Sequence, residues 1–263
     1  MGTTKQAVTS ELVRRRYLAP DRRGRHMQVE VTDFVEGARS ARGLVVVIDV
    51  FRAFSLAAHA YARGASAIVP VAAIDDAREL KRRHPHWLLV GERQARPLPG
   101  FDAGNSPAEL EARDLRGRTL IHTTHSGTQG LVAAHGADEV LTGALVNAAA
   151  IVRYVLGRAP AIVTLVRMGH EARERCAEDD LCAELIRARL TSDTAAEVSV
   201  QDVRRRLAQA SSAVKFFDPA CTWAPQRDFE LCTQLDAFEF VLRLDRAAAP
   251  ARLTRVDVPM QRP

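Results

Sequence analysis

The chain has 263 residues and a mass of 28.9 kDa, enough to bury roughly three quarters of its extended surface in one large domain or two intimate lobes. Hydrophobic residues make up 47% and charged residues 26%, which excludes a wholly disordered or fibrous chain. No apolar run approaches the roughly 20 residues that span a bilayer, and the formal net charge of +5 is too unevenly placed for a nucleic-acid-binding face.

Residues 1–26 carry seven basic side chains against Glu11 and Asp21, and residues 246–263 carry four arginines against Asp257. The stretch between them is net acidic, so the basic excess lies at the ends. Lysine is scarce: Lys5, Lys81 and Lys215 stand among 37 basic residues. The organisation expected is a basic N-terminal segment over 1–26, a single α/β domain over 27–245, and a C-terminal tail over 246–263 with a short strand.

Cys176, Cys182, Cys221 and Cys232 fit no paired zinc spacing and are too few for a disulfide framework. Met1 is followed by polar residues and arginines without an apolar segment, unlike a signal peptide. A reducing cytoplasm is the expected compartment.

In chain order, strands are predicted at 44–48, 67–71, 87–90, 119–123, 139–142 and 161–166. Their apolar runs lack polar alternation, as suits strands covered on both faces. Helices are predicted between them at 54–63, 75–84, 106–113, 128–135, 147–156 and 178–190, with Gly64, Gly136 and Gly157 as left-handed terminators. The pattern weakens after 190: a helix over 200–213, a helix running into a strand over 228–243, and a last strand near 253–258. The fold expected is α/β, with a largely parallel central sheet and helices on both faces.

Ligands of parallel sheets collect at strand carboxyl ends. Asp49 ends the first apolar run, where a carboxylate needs a partner or a metal; Arg52 offers a fork for an anion or a partner for Asp49. Thr124, His125, Ser126, Gly127 and Thr128 form a hydroxyl- and glycine-bearing turn, suited either to anion binding or to simple helix capping. Ser106, Pro107 and Glu109 read as a capping box preceded by Asp102 and Asn105 in a loop. Glu178, Asp179 and Asp180 favour a helix N-terminus and equally offer oxygen ligands to Mg²⁺. The Cys221–Arg227 spacing of cysteine phosphatases is rejected, because Pro225 removes a loop N–H donor and no glycine eases the turn. An Asp-x-Asp phosphatase mechanism fails at Phe51. No H-E-x-x-H spacing exists, and His59, His84, His86 and His135 read as helix-surface or loop residues.

Taken together, Val47–Ala53, Gly91-Glu92-Arg93, Gly100–Pro107, Thr123–Thr128, Asn147-Ala148 and Glu178–Ala183 make the chain resemble the 2-phosphosulfolactate phosphatase family of coenzyme M biosynthesis. The segment Gly-Phe-Asp-Ala-Gly-Asn-Ser-Pro at 100–107 is the most specific. The chain departs from the family pattern at Ser126, where asparagine is usual, and at Glu184, where glycine is usual. The resemblance implies an Mg²⁺-dependent phosphoric monoester hydrolase releasing phosphate and 3-sulfolactate. It places Asp49 and Arg52 in catalysis. Substrate binding falls to Arg93, Asp102, Asn105, Ser106, Thr124, Ser126, Gly127 and Thr128, and Mg²⁺ to Asp49, Glu178 and Asp179. The partner implied is a small anionic phosphate ester, with no nucleic acid and no membrane; a homodimer is admitted. The alternatives are a phosphatase for another small anionic ester and a non-catalytic anion-binding protein.

Overall fold

Leu44–Ile48 has no polar position, and such a strand must be covered on both faces. The computed structural model describes residues 15–20, 26–191 and 198–259, and all five of these side chains are buried in it. Eleven strands form the sheet among the described residues. They are β1 (Arg15–Pro20), β2 (His26–Asp33), β3 (Leu44–Ile48), β4 (Ala67–Pro70), β5 (Leu88–Arg93), β6 (Arg96–Pro97), β7 (Thr119–Thr123), β8 (Glu139–Gly143), β9 (Ile162–Arg167), β10 (Phe240–Asp245) and β11 (Arg252–Asp257). Their order is β1-β2-β9-β3-β8-β10-β11-β4-β7-β5-β6.

The helices are α1 (Phe34–Ser40), α2 (Ala53–Ala62), α3 (Ile74–Arg83), α4 (Pro107–Glu111), α5 (Gly127–Ala133) and α6 (Ala148–Arg158). After them come α7 (Ala177–Leu190), α8 (Val200–Ala208), α9 (Val214–Phe217) and α10 (Gln226–Cys232). The α/β expectation holds, with every strand predicted between 44 and 166 in place. No described helix is long and apolar enough to cross a membrane.

The sheet consists of two parallel blocks. In the first, β2, β9, β3 and β8 run together; in the second, β4, β7 and β5 do. The antiparallel hairpin β10–β11 joins them through single registered pairs, Arg243 with Leu141 and Leu253 with Ile68. Three antiparallel steps from β8 to β4 reverse the direction of the second block. The strand expected in a C-terminal tail is thus β11, a central member of the sheet. Arg15–Pro20, within the expected basic terminus, is β1, paired antiparallel with β2. Residues 1–14 lie outside those described.

Alternation along β3 feeds two cores. Val46 and Ile48 pack with Val29, Leu165, Ile151, Leu181 and Ile186, under α6 and α7. Val45 and Val47 pack with Ile68, Val90, Leu120, Leu242 and Leu253, around α2. Every residue of α2 from Ala53 to Tyr61 is buried. Its alanines let strands of both blocks approach one helix, and the Tyr61 hydroxyl donates to the Leu253 carbonyl. His59, expected on a helix surface, is buried here because both sides of α2 are covered; its ring meets Phe238 edge-on at 5.0 Å.

Helix ends differ from expectation in detail. Gly64 takes the left-handed conformation (φ +94°) after α2. Gly157 lies inside α6 instead, and Ala159 is the left-handed cap at φ 47°, because Pro160 disfavours right-handed helical backbone at the residue before it. Gly136 is not left-handed.

Gly91 in β5 shows how closely the second block is packed. A Cβ there would stand 2.1 Å from the Thr123 carbonyl oxygen of β7. Backbone in a ladder cannot yield as a side-chain tip can, so Gly91→Ala should destabilise by at least about 1–3 kcal/mol. Urea unfolding measures this; an unchanged midpoint would mean that β5 and β7 separate freely.

Candidate active site

The carboxyl ends of β3, β9, β5 and β7 open onto one cleft. Its charged lining consists of Asp49, Arg52, Glu92, Glu171, Glu178, Asp179 and Lys215, with Asn105, His125, Ser126 and Cys176 beside them. Both parallel blocks contribute: residues after β3 and β9 share the lining with residues at the ends of β5 and β7.

The acids are fixed by backbone amides. Asp179, in the first turn of α7, accepts N–H bonds from Val50 and Gly169 (2.8 Å each), the residues that follow β3 and β9. Gly169 is required there: its φ is +63°, and a Cβ would meet the Glu174 carbonyl oxygen at 2.1 Å. Glu92 does the same for the second block, accepting from Ala95 and His125 (2.7 Å each). Asp49 accepts from Ala53 (3.4 Å), and the Gly127 amide also bonds to it. A Cβ on Gly127 would come within 2.8 Å of Asp49 Oδ2. Glu178 accepts from Ser212 Oγ at 2.5 Å, whereas Asp180 turns outward to Arg167 and Arg175.

Burial and mutual repulsion raise two of these acids, Asp49 and Asp179. Desolvation first, then the charge of Glu92, pushes Asp49 up to about 7. Desolvation, followed by the charges of Asp49 and Glu178, pushes Asp179 well above the carboxylate range despite its two amide bonds.

Several expected residues take other roles. Arg52 lines the cleft, but its partner is Asp228, not Asp49. Its guanidinium donates to Asp228 Oδ2 (2.7 Å), the Trp223 carbonyl (2.7 Å) and the Ala95 carbonyl (3.0 Å), at 2% exposure against 0% for Asp228. Arg93 is not in the cleft; strand alternation sends it opposite to Glu92, to the Ala72 carbonyl and Thr123 Oγ1 (2.9 Å each). Asp102 is also outside, held by Lys81 (2.8 Å) and the Leu89 amide (2.7 Å). Ser106 caps α4 by accepting from Glu109 N–H (3.1 Å) and donates to Asp228 (2.7 Å); Glu109 reaches back to the Gly104 amide, completing only half of the expected box.

Thr124 and Thr128 bond to each other across the start of α5 and stay out of the cleft. Ser126 lines it, with its hydroxyl accepting from the Ala172 amide (3.0 Å). The turn expected to offer amides to an anion therefore gives them to Asp49 and Glu92. Asn105 does line the cleft; its Oδ1 is held by His122 Nε2 (3.1 Å), leaving the amide NH₂ for a ligand. Burial holds His122 down at about 4, so it is neutral near pH 7 and donates to that oxygen. His125 Nδ1 is buried without a partner.

His122, Glu171, Asp228 and Lys215 are site residues that sequence reasoning passed over, and Glu92 entered it only within the Gly91-Glu92-Arg93 segment. Glu92 was readable: Val90 faces the core around α2, and two residues on, Glu92 shares its side.

The donor set suits a hard dication, being oxygen-rich and short of positive charge. Among the described residues no three His, Cys, Asp or Glu groups already form a ligand array. Asp49, Glu178 and Asp179 do lie in one cleft, the last two with oxygens turned to hydrogen-bond donors.

Comparison with known proteins gives the family. A family model described as 2-phosphosulpholactate phosphatase matches residues 31–247. A protein named "Probable 2-phosphosulfolactate phosphatase" from Thermotoga petrophila is 34% identical over 205 residues, covering 74% of this chain and 86% of its own. One of the same name from Bacillus subtilis is 28% identical, covering 80% and 91%. Another, from Caldanaerobacter subterraneus, is 40% identical over 113 residues, covering 42% of this chain and 47% of its own length.

Two outcomes follow from the geometry. Arg52→Met leaves Asp228 buried without its cation and should cost about 3–5 kcal/mol, with Arg52→Met/Asp228→Leu recovering part of it; equal losses in the single and double variants would show that the pair is not the cause. Because folded Asp49 holds its proton up to about 7 while the unfolded chain releases it near 3.8, the folded state binds more protons in that window. Without divalent cations, stability should therefore fall as pH rises from about 4 through 7. Melting scans test this: Asp49→Asn should flatten the decline, and a rise through the window would contradict it.

The family match over residues 31–247, on a site of acids gathered at strand carboxyl ends, places this chain in the 2-phosphosulpholactate phosphatase family.

Proposed function

We propose that the chain is an Mg²⁺-dependent phosphoric monoester hydrolase that converts 2-phosphosulfolactate to 3-sulfolactate and phosphate, a step of coenzyme M biosynthesis in the cytoplasm. The observation that carries the metal dependence is the charge of the cleft. Five carboxylates line it, against Lys215 and an Arg52 already neutralised by Asp228. A phosphate dianion would be repelled from such a site unless a cation were held there.

Asp49, Glu178 and Asp179 are the residues that would hold Mg²⁺. When bound, the ion would neutralise phosphoryl charge and lower the pKa of a coordinated water. The chain's own residues do the rest. Amides of Val50 and Gly169 hold Asp179 in place, and Ser212 holds Glu178. Asn105, oriented by His122, donates its NH₂ to an oxygen of the ester. His125 lines the cleft beside Asn105, with its backbone amide committed to Glu92. Water supplies the oxygen gained by phosphate, so ester and water yield alcohol and inorganic phosphate.

Phosphate release from a panel of phosphocarboxylates, with and without Mg²⁺, tests the reading. Wild type should require Mg²⁺ and prefer 2-phosphosulfolactate. Preference for another ester would reassign the substrate, and no release from any would favour a binding protein. Glu178→Gln should raise the Mg²⁺ concentration for half-maximal activity by about tenfold while leaving the melting temperature nearly unchanged; an unshifted curve removes Glu178 from the ligand set.

A further inference from the structure

Among the described residues Lys215, which lines the cleft, forms no ion pair. It lies on α9, directly after a 3-10 turn at Ser211–Ala213 that Ser212 ties to Glu178. Aromatic packing fixes α9 over the cleft: Phe216 meets Phe51 edge-on at 5.0 Å, and Phe217 lies 5.1 Å from Phe229. The Lys215 ammonium stands 5.2 Å from the Phe216 ring centroid. Among the described residues no hydrogen bond or ion pair engages it.

That is unusual for a half-buried ammonium, whose desolvation calls for a compensating charge. Burial and the charge of Arg52 hold Lys215 below its ordinary value; Glu178, Asp49 and the Cys176 thiol act in the opposite sense. Arg52, the other cation of the lining, has its Nη1 and Nη2 engaged by Asp228, Trp223 and Ala95. Lys215 is thus the lining cation with a charge to offer a ligand.

We propose that Lys215 receives a second anionic group of the substrate, a sulfonate or carboxylate carried on the same small molecule as the phosphate ester. This deepens the phosphatase reading and rests on it. The acids that would hold the metal follow β3 and open α7, whereas this ammonium is carried on α9, so it distinguishes esters by what else they carry. An ester with no second anion leaves Lys215 unpaired and gains nothing from it.

Four esters test this with wild type, Lys215→Met and Lys215→Arg: 2-phosphosulfolactate, 2-phospholactate (carboxylate alone), phosphoisethionate (sulfonate alone) and 2-propyl phosphate (neither). Lys215→Met should lower kcat/KM for 2-phosphosulfolactate by about ten- to a hundredfold, mostly through KM. It should leave 2-propyl phosphate within about twofold, and Lys215→Arg should restore much of the loss. Loss on phosphoisethionate but not 2-phospholactate assigns the sulfonate; the reverse assigns the carboxylate. Equal loss on all four esters, or none on any, overturns the proposal. If wild type hydrolyses none of them, the phosphatase reading fails and calorimetric binding of 3-sulfolactate decides this one. Weaker binding by Lys215→Met supports it; equal or absent binding overturns it.

Discussion

The site depends on buried carboxylates that accept backbone amides from the loops after the strands. Asp179 joins the ends of β3 and β9, Glu92 joins the ends of β5 and β7, and Asp228 joins the start of α4 to Arg52. Each bond satisfies an N–H or guanidinium that burial would otherwise leave orphaned. The same bonds gather negative charge that the protein does not fully compensate. For Asp49 and Asp179 desolvation and repulsion outweigh the amide bonds, and both carboxyls are pushed up. A metal-free fold thus carries an electrostatic cost at the place where a cation would relieve it.

The fold gathers these loops from two blocks of opposite sense in one sheet. A single parallel sheet would present its carboxyl ends along one edge. Here two parallel blocks run in opposite senses, joined by β10–β11, and strands of both pack around α2. The loops after β3 and β9 then meet those after β5 and β7 across the cleft. The alanines of α2 are therefore part of the site's construction: larger side chains would hold apart the blocks whose loops share the lining.

Much of this architecture was legible in the sequence. Continuous apolar runs marked β3, β4, β7 and β9, because strands buried on both faces need no polar alternation. β2 was missed although Met27, Val29 and Val31 alternate with Gln28, Glu30 and Thr32; its signal is the period of two, not a run. Asp49, Asn105, Glu178 and Asp179 emerged as cleft residues from motif and strand-end position. Arg93 and Arg52 were expected to meet an anion because charge was read without direction: alternation turns Arg93 away, and Arg52 pairs with Asp228, 176 residues further on. No local pattern announces such a partner. Lys215 lay where helix and strand patterns fade, and its scarcity among so many arginines was its one sequence signal.

The central claim is that the acid cluster is built to hold a dication. Titration calorimetry of Mg²⁺ into the protein, in buffers of differing ionisation enthalpy, tests it most directly. At pH 6, below the value of about 7 at which Asp49 ionises, binding should release protons. The release should shrink toward pH 8 and drop in Asp49→Asn. Heats that do not depend on the buffer at pH 6, or proton release that survives Asp49→Asn unchanged, would contradict the account.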